Sequence, residues 1–264
     1  MNAPERAIDV PCRYYRVYTD EDVPCVEPNF GFVERALSVP VEQAALVLVD
    51  VWSTHYIDSW LARAAEITKT KIVPLVASAR EAGLTVIHAP SPSIVEKRGY
   101  QTAKPELAVS EPQTDDWPPP AFRGIYRGGE HAAFGRMSEP RLPAVYERYE
   151  VELDIAEEVR PVADDLVIST GPELHAVLRE RGILHIFYAG FCANWCLIGR
   201  DYGILAMNER GYNIILVRDA TTGIESHDTV DALTATEMTI REIETKNAWS
   251  ATTEAVVAAC ERAR

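Results

Sequence analysis

The sequence predicts an α/β protein with a three-layer, doubly wound (Rossmann-like), mostly parallel sheet of about six strands. Short runs such as AALVLVD at residues 44–50 are apolar at nearly every position. A strand of this kind has no polar face, so both faces of its sheet must be covered. Longer stretches with helical periodicity separate these runs, and right-handed crossovers then place helices on both faces.

Each element is predicted from its local pattern. The first strand, at 44–50, is followed by a helical stretch at about 59–82 that ends at Gly83, a residue type common at helix ends. The later elements, in chain order, are a strand at 84–89, a strand at 164–169, a helix at 171–182, a strand at 184–190, a helix at 194–210, a strand at 212–220, a helix at 229–244, and a short strand with a closing helix within 247–264.

Two segments depart from this pattern. Residues 1–40 are predicted to be an irregular N-terminal extension with a possible short helix at 32–36. Residues 90–150 contain nine prolines and clusters such as AFRGIYRGG, which makes this insert too long for a simple loop. Segments of this size are usually lids, binding loops or interface arms. We therefore expect a single domain at 41–264 that carries a long insert.

Composition limits the partners. The 264 residues have a formal net charge of −14, which argues against nucleic acid or an anionic membrane as a partner. No apolar run reaches the roughly 18 residues that span a bilayer, and the N-terminus has no apolar core of a signal peptide. We expect a cytoplasmic protein whose cysteines are reduced. These are Cys12, Cys25, Cys192, Cys196 and Cys260.

The stretch FYAGFCANWCLIGRD at 187–201 is the main candidate for chemistry. Its Cys196 follows a buried strand and a tight turn and is predicted to open a helix, where N–H groups and the helix dipole lower a thiol pKa and bind an oxyanion. A packed, inert thiol explains the spacing equally well. A metal pair of Cys192 and Cys196 is disfavoured, because no matching cluster of His or Cys occurs elsewhere.

Three segments together resemble the isochorismatase-like cysteine hydrolase family, which includes nicotinamidases, N-carbamoyl amide hydrolases and isochorismatases. They are LVLVD at 46–50, YAGFCANWC at 188–196 and ERGYNIILVRDATTG at 209–223. The resemblance covers about residues 42–90 and 153–260. The positions in register with the family are Gly190, Asn194, Cys196, Gly211, Tyr212, Asp219 and Ala220.

The resemblance implies hydrolysis of a C–N bond in a small amide, carbamoyl or ureido substrate through a thioester. Cys196 would be the nucleophile, and Asp50 would take its proton and pass it to the leaving amine. The backbone N–H groups of Cys192 and Cys196 would form the oxyanion hole, with Phe191–Cys192 a cis-type peptide. The partner is then a small-molecule substrate, and a dimer or tetramer is the implied assembly. From the residues alone, Asp50 is equally well explained as a helix cap.

One departure from the family pattern stands out. The family's third catalytic group is a lysine after the third strand, but Ser169 or Thr170 stands at that place and no lysine occurs between Lys104 and Lys246. The cation must then be missing or come from the insert or from a protonated histidine. Two alternatives follow: an impaired family member that binds or scaffolds, and an acid–base hydrolase that uses Asp50 while Cys196 only lines the pocket.

The remaining candidates are binding residues. The four expected at the pocket wall are Trp52, His55, His88 and Trp195. Arg123 and Arg127 of the insert are candidates to clamp a carboxylate or urea-like group, although a solvated loop explains them as well. The Asp and His spacing of nicotinamidase metal sites is not visible, so neither a metal nor another cofactor is expected.

Overall fold

The structure is a computed structural model that describes residues 6–107, 117–162 and 164–264. In these residues the strands form one mixed sheet of eight, in the order β2-β1-β8-β7-β6-β3-β4-β5. The strands are β1 (Ala7–Arg16), β2 (Gly31–Pro40), β3 (Ala44–Val49), β4 (Thr85–Ala89), β5 (Leu166–Val167), β6 (His185–Gly190), β7 (Asn213–Val217) and β8 (Trp249–Ala251). Strands β3 to β8 pair in parallel, whereas β1 is antiparallel to both β2 and β8.

Helices cover both faces of this sheet. They are α1 (Asp58–Ile67), α2 (Val73–Ala82), α3 (Pro92–Arg98), α4 (Leu142–Glu152), α5 (Gly171–Glu180), α6 (Ile204–Glu209), α7 (Thr234–Lys246) and α8 (Thr253–Arg262). Alternate residues of β3 enter two separate cores: Leu46 and Leu48 pack in one, Val47 and Val49 in the other. The predicted three-layer α/β fold is therefore confirmed.

The N-terminal prediction was wrong, and with it the strand count. Residues 1–40 contain the hairpin β1–β2, and the proposed helix at 32–36 lies within β2. The buried residues of β1 alternate, with Ile8, Val10 and Cys12 inside and their neighbours more exposed. A strand buried on one face has this period of two, and a search for continuous apolar runs overlooks it.

Two of the predicted helices are interrupted. The stretch at 59–82 forms α1, a π-helical turn at Thr68–Ile72 and α2, and it ends at Gly83 with a φ of 85°. The predicted helix at 194–210 begins with a π-helical turn at Ala193–Leu197, then breaks before α6. The break falls at Gly203, where a Cβ would lie 2.8 Å from the carbonyl oxygen of Leu197.

The insert packs on the loop that follows β3. The N–H of Tyr56 in that loop donates to the hydroxyl of Tyr149 on α4 at 3.2 Å, and Arg148 of α4 donates to Thr54. These contacts place α4 near the carboxyl end of β3. Residues 108–116 of the insert lie outside the described residues. Among the described helices, none has the length and apolar character needed to cross a membrane.

Candidate active site

The site lies where the strand order reverses. Strand β3 sits between β6 and β4; the chain proceeds from β3 outward through β4 and β5, and from β6 in the other direction through β7 and β8. In an open parallel sheet, such a switch point leaves a crevice at the carboxyl ends of the strands. The segments that follow β3, β4 and β6 bring Asp50, Ser91 and Cys196 together there.

Asp50 is a buried acceptor of several hydrogen bonds. Its backbone has a φ of 45°, and its side chain is fully buried. The Nε1–H of Trp52 and the hydroxyl of Ser91 donate to its Oδ1 at 3.0 Å and 2.8 Å. Burial raises the pKa of Asp50, and the charge of Arg200 together with the hydrogen bond from Cys196 opposes that rise. The group is thus suited to gain and lose a proton.

Cys196 is positioned by a turn that needs glycine at its start. Strand β6 ends at Gly190, whose φ is 109° and where a Cβ would lie 2.0 Å from the carbonyl oxygen of Val49. The Phe191–Cys192 peptide that follows is cis, as expected. The turn at Ala193–Leu197 then places Cys196 partly exposed, with its thiol close to Asp50 and Arg200.

The thiol of Cys196 is neutral in the resting site. Burial and the negative charge of Asp50 raise its pKa to about 12, and Arg200 opposes that rise. The lowered thiol pKa expected from a helix N-terminus is therefore wrong for this site. Burial beside a carboxylate outweighs the field of one short helical turn.

Arg200 is the cation that the sequence analysis missed. It follows Cys196 by one turn, and its N–H donates to the carbonyl of Cys196 at 3.0 Å. Its Nη2 lies 2.7 Å from the hydroxyl oxygen of Ser91 and 3.4 Å from Oδ2 of Asp50. Burial opposes its charge, but Tyr202, Asp50 and Cys196 raise the pKa of Arg200 above its usual value. The signal for it was present, because residues four apart share one helix face.

The arginines of the insert bind their own segment. Arg127 donates to the carbonyls of Phe122 and Phe134 at 2.6 Å and 2.7 Å, and its guanidinium lies over the ring of Phe122. Arg123 donates to the carbonyl of Pro118 at 2.7 Å. The structure thus does not bring either arginine to Cys196 or Asp50.

The nearby lysines are also engaged elsewhere. Lys97 pairs with Glu150, and Lys104 pairs with Glu180. At the place of the family's lysine, Thr170 caps α5 by a reciprocal pair of hydrogen bonds with Glu173, and the hydroxyl of Ser169 also donates to Glu173 at 3.0 Å. The hydroxyls of Ser169 and Thr170, which stand in the place of the lysine, therefore form hydrogen bonds at the start of α5. The expectation that the insert supplies the cation is wrong.

The two candidate histidines have structural partners. Nε2 of His88 lies 2.9 Å from Oδ2 of Asp165, which also bonds Arg80, so His88 belongs to a buried polar network. His55 stacks on Trp52 at 5.5 Å and accepts from the N–H of Ile57. Neither one contacts Cys196.

His55 is neutral at physiological pH. Burial, and then the charge of Arg148, lower its pKa to about 4. His55 stacks on Trp52, whose Nε1–H donates to Asp50, and so supports the wall of the site. The expected protonated histidine is therefore absent from this position. Trp195, which precedes the nucleophile candidate in the chain, is 46% exposed.

Asn194 locks the Cys192–Cys196 turn to the loop after β7. Its side-chain amide donates to the carbonyl of Ile224 at 2.8 Å and accepts from the N–H of Ile224 at 2.9 Å. The N–H of Ala193 donates to the carbonyl of Thr222 at 3.1 Å. By contrast, no acceptor for the N–H of Cys192 occurs among the residues that the structure describes. Three hydrogen bonds thus hold the turn to the loop after β7, and the N–H of Cys192 at the start of the turn remains available.

No metal centre is formed by the described part of the chain. Across residues 6–107, 117–162 and 164–264, no three or more His, Cys, Asp or Glu side chains are grouped so that they could hold an ion.

The fold and this site define a three-layer α/β protein with a cysteine–carboxylate–arginine cluster at the carboxyl edge of its sheet. Residues 44–254 match the family model of the isochorismatase domain, so the chain belongs to the isochorismatase family of hydrolases. No curated protein sequence matches the chain.

Solved structures are similar in fold. A cysteine hydrolase from Pseudomonas syringae pv. phaseolicola has 19% identity to this chain and a TM-score of 0.55. The match covers 86% of this chain and 96% of the hydrolase chain. An N-carbamoylsarcosine amidase from Thermoplasma acidophilum has 19% identity and a TM-score of 0.42, covering 80% and 97%. A nicotinamidase/pyrazinamidase from Bacillus subtilis has 19% identity and a TM-score of 0.40, covering 77% and 96%.

Proposed function

We propose that this protein is a cysteine hydrolase that cleaves a C–N bond of a small amide, carbamoyl or ureido compound through a thioester. The observation that supports it is the cluster of Cys196, the buried carboxylate of Asp50 and Arg200, in which Nη2 of Arg200 lies 3.4 Å from Oδ2 of Asp50. A nucleophile within hydrogen-bond reach of a base, with a third group orienting that base, is the general arrangement for covalent catalysis.

The raised thiol pKa sets the order of proton transfers. Cys196 passes its proton to Asp50 as its sulfur attacks the carbonyl carbon, so a free thiolate need not accumulate. The C–N bond then breaks, and Asp50 gives this proton to the leaving nitrogen. Water attacks the resulting thioester, loses a proton to Asp50 and releases the acid. That proton returns to the sulfur, which restores the resting site.

The oxyanion formed in both steps needs hydrogen-bond donors. We assign this role to the backbone N–H groups of Cys192 and Cys196, which lie in the turn that carries the nucleophile. The N–H of Cys192 has no acceptor among the described residues, which agrees with a donor reserved for a ligand. The thiol of Cys192 takes no part, because burial raises its pKa well above the usual value and the side chain is fully enclosed.

The site suits a small planar substrate. Cys196 is partly exposed, Trp195 precedes it in the chain and is exposed, and Nε1–H of Trp52 donates to Asp50. Aromatic side chains near the sulfur would favour a flat amide or ureido group. We keep a cytoplasmic location and a dimer or tetramer as parts of this proposal.

One observation favours a second candidate. With the pKa of Cys196 raised to about 12, the sulfur is a weak nucleophile until its proton is removed. An acid–base hydrolase that uses Asp50 and keeps Cys196 as a wall residue would have the same resting geometry.

Acylation of the sulfur separates the two candidates. The wild-type protein is mixed with p-nitrophenyl acetate, and its intact mass and the modified peptide are followed. We expect one acetyl group on Cys196, sensitive to hydroxylamine, and its loss in Cys196→Ala but not in Cys192→Ala. A panel of amides, carbamoyl and ureido compounds is then scored for ammonia release. Turnover that survives in Cys196→Ala but disappears in Asp50→Asn would establish the acid–base reading instead.

A further inference from the structure

We propose that Arg200 is the catalytic cation of this site and that Ser91 is its positioning residue, so that an arginine on the nucleophile's own helical turn replaces the family's separate lysine. This inference rests on the proposed function and deepens it.

The first argument is contact with the reacting groups. Nη2 of Arg200 lies 3.4 Å from Oδ2 of Asp50, and the charge of Arg200 also acts on the Cys196 thiol. During the reaction, the thiol of Cys196 and the carboxyl group of Asp50 both become negative or share one negative charge. A fixed opposite charge within about 4–6 Å of an ionising group changes its pKa by roughly 1–3 units. Arg200 is therefore close enough to lower the cost of moving the thiol proton.

The second argument concerns Ser91. Its side chain is buried, its hydroxyl accepts from Nη2 of Arg200 at 2.7 Å, and it donates to Oδ1 of Asp50 at 2.8 Å. A hydroxyl has one proton, so the bond from Arg200 directs that proton to Asp50. Together with Trp52, Ser91 occupies Oδ1 and leaves Oδ2 on the side of Arg200. Ser91 thus fixes the distance between the cation and the base.

The third argument is chemical. Guanidinium keeps its proton at every pH at which the protein is folded. Arg200 therefore supplies charge and donors but never a proton, and Asp50 alone carries the proton from sulfur to the leaving nitrogen. No other Lys or Arg of the described residues forms a hydrogen bond or ion pair with Asp50.

The test measures the pH dependence of Cys196 alkylation by iodoacetamide, read at the peptide level in the otherwise unmodified protein. The variants are Arg200→Met, Arg200→Lys, Ser91→Ala and Ser91→Thr. Arg210→Met is the matched control, because Arg210 is exposed at the end of α6. Circular dichroism and the melting temperature show whether each variant is folded.

We expect Arg200→Met to slow alkylation about tenfold or more at a fixed pH between 8 and 10, the equivalent of one pKa unit or more. Arg200→Lys should recover most of that rate, because it restores the charge without the fork of donors. Ser91→Ala should raise the apparent pKa by less than Arg200→Met, and Ser91→Thr should restore it. Arg210→Met should match the wild type.

Two outcomes overturn the inference. One is a folded Arg200→Met variant that alkylates within about twofold of the wild type. The other is an Arg200→Lys variant as slow as Arg200→Met, which would mean that packing rather than charge is responsible. Failure of the proposed function gives a different result. In that case p-nitrophenyl acetate would leave no acetyl group on Cys196 of the wild type, even if Arg200→Met still slows alkylation by iodoacetamide. Acetylation with no effect of Arg200→Met would refute this inference alone.

Discussion

Nη2 of Arg200 lies 3.4 Å from Oδ2 of Asp50, and the backbone N–H of Arg200 donates to the carbonyl of Cys196, four residues earlier in the chain. The nucleophile candidate and its cation therefore come from the same turn, whereas the base, Asp50, comes from the end of a neighbouring strand. The next residue, Asp201, accepts a hydrogen bond from the N–H of Gly171 at the start of α5 at 2.7 Å.

Asp50→Asn should have opposite effects on alkylation and turnover. The charge of Asp50 and its hydrogen bond both raise the pKa of Cys196. Neutralising Asp50 removes that repulsion, so we expect iodoacetamide to alkylate Cys196 several-fold faster at pH 8. Hydrolysis should fall by about a hundredfold or more, because no group then receives the thiol proton. Slower alkylation in Asp50→Asn would contradict the assignment of Asp50 as a charged neighbour of the thiol.

Gly190→Ala should be strongly destabilising. A Cβ at this position would lie 2.0 Å from the carbonyl oxygen of Val49, on backbone with a φ of 109°. The β3–β6 pairing would have to open, so we expect a loss of about 4 kcal/mol or more in the free energy of unfolding. Gly199→Ala is the control, since nothing lies within 4 Å of its added Cβ and its change should stay within about 0.5 kcal/mol. Urea unfolding measures the change in the free energy of unfolding for both variants. Similar changes in Gly190→Ala and Gly199→Ala would refute the close approach of Gly190 to Val49.

The fold was predictable where burial repeats at every residue. Strands β3, β6 and β7 are apolar on both faces because helices cover both sides. Their sequences are accordingly continuous apolar runs, which are easy to recognise. The hairpin β1–β2 was missed because only one face is buried and its other side carries polar residues. The two-residue strand β5 was predicted too long, because its ladder with β4 spans only two pairs.

The site was predictable only in part. Asp50 and Cys196 follow apolar strands and a family motif, and the structure brings them together. Arg200 could have been found from its spacing, because residues four apart share one helix face and the N–H of Arg200 bonds the carbonyl of Cys196. Ser91 had no signal of its own, because a serine after a strand usually caps a helix. Its role appears only when β3 and β4 are placed side by side.

Chelation should leave this protein unchanged. No group of three metal-ligating side chains occurs in the ranges 6–107, 117–162 and 164–264, and His55 and His88 already have partners. We expect EDTA to alter neither the melting temperature nor any hydrolytic activity. Zinc or iron found at one equivalent per chain in the purified protein would overturn this expectation and direct attention to the two histidines.

Acidification should weaken the fold in two stages with different origins. The pKa of His55 falls from 6.5 to about 4 on folding, through burial and the charge of Arg148. The unfolded chain therefore takes up a proton below pH 6.5 that the folded chain accepts only near pH 4. Stability from this group is complete above about pH 6.5 and is lost as pH falls towards 4.

Asp165 acts at lower pH. Burial opposes its ionisation, but hydrogen bonds from His88 and Arg80 hold its pKa well below the usual 3.8. A carboxyl group with a lowered pKa stabilises the fold above its unfolded pKa, and that contribution disappears as pH falls below about 4. Urea unfolding at pH 7.5, 5 and 3 measures both stages. His55→Gln should flatten only the change from pH 7.5 to 5, and Asp165→Asn only the change from pH 5 to 3. The same steep loss below pH 4 in Asp165→Asn would show that the network of His88, Arg80 and Asp165 does not hold the lowered pKa.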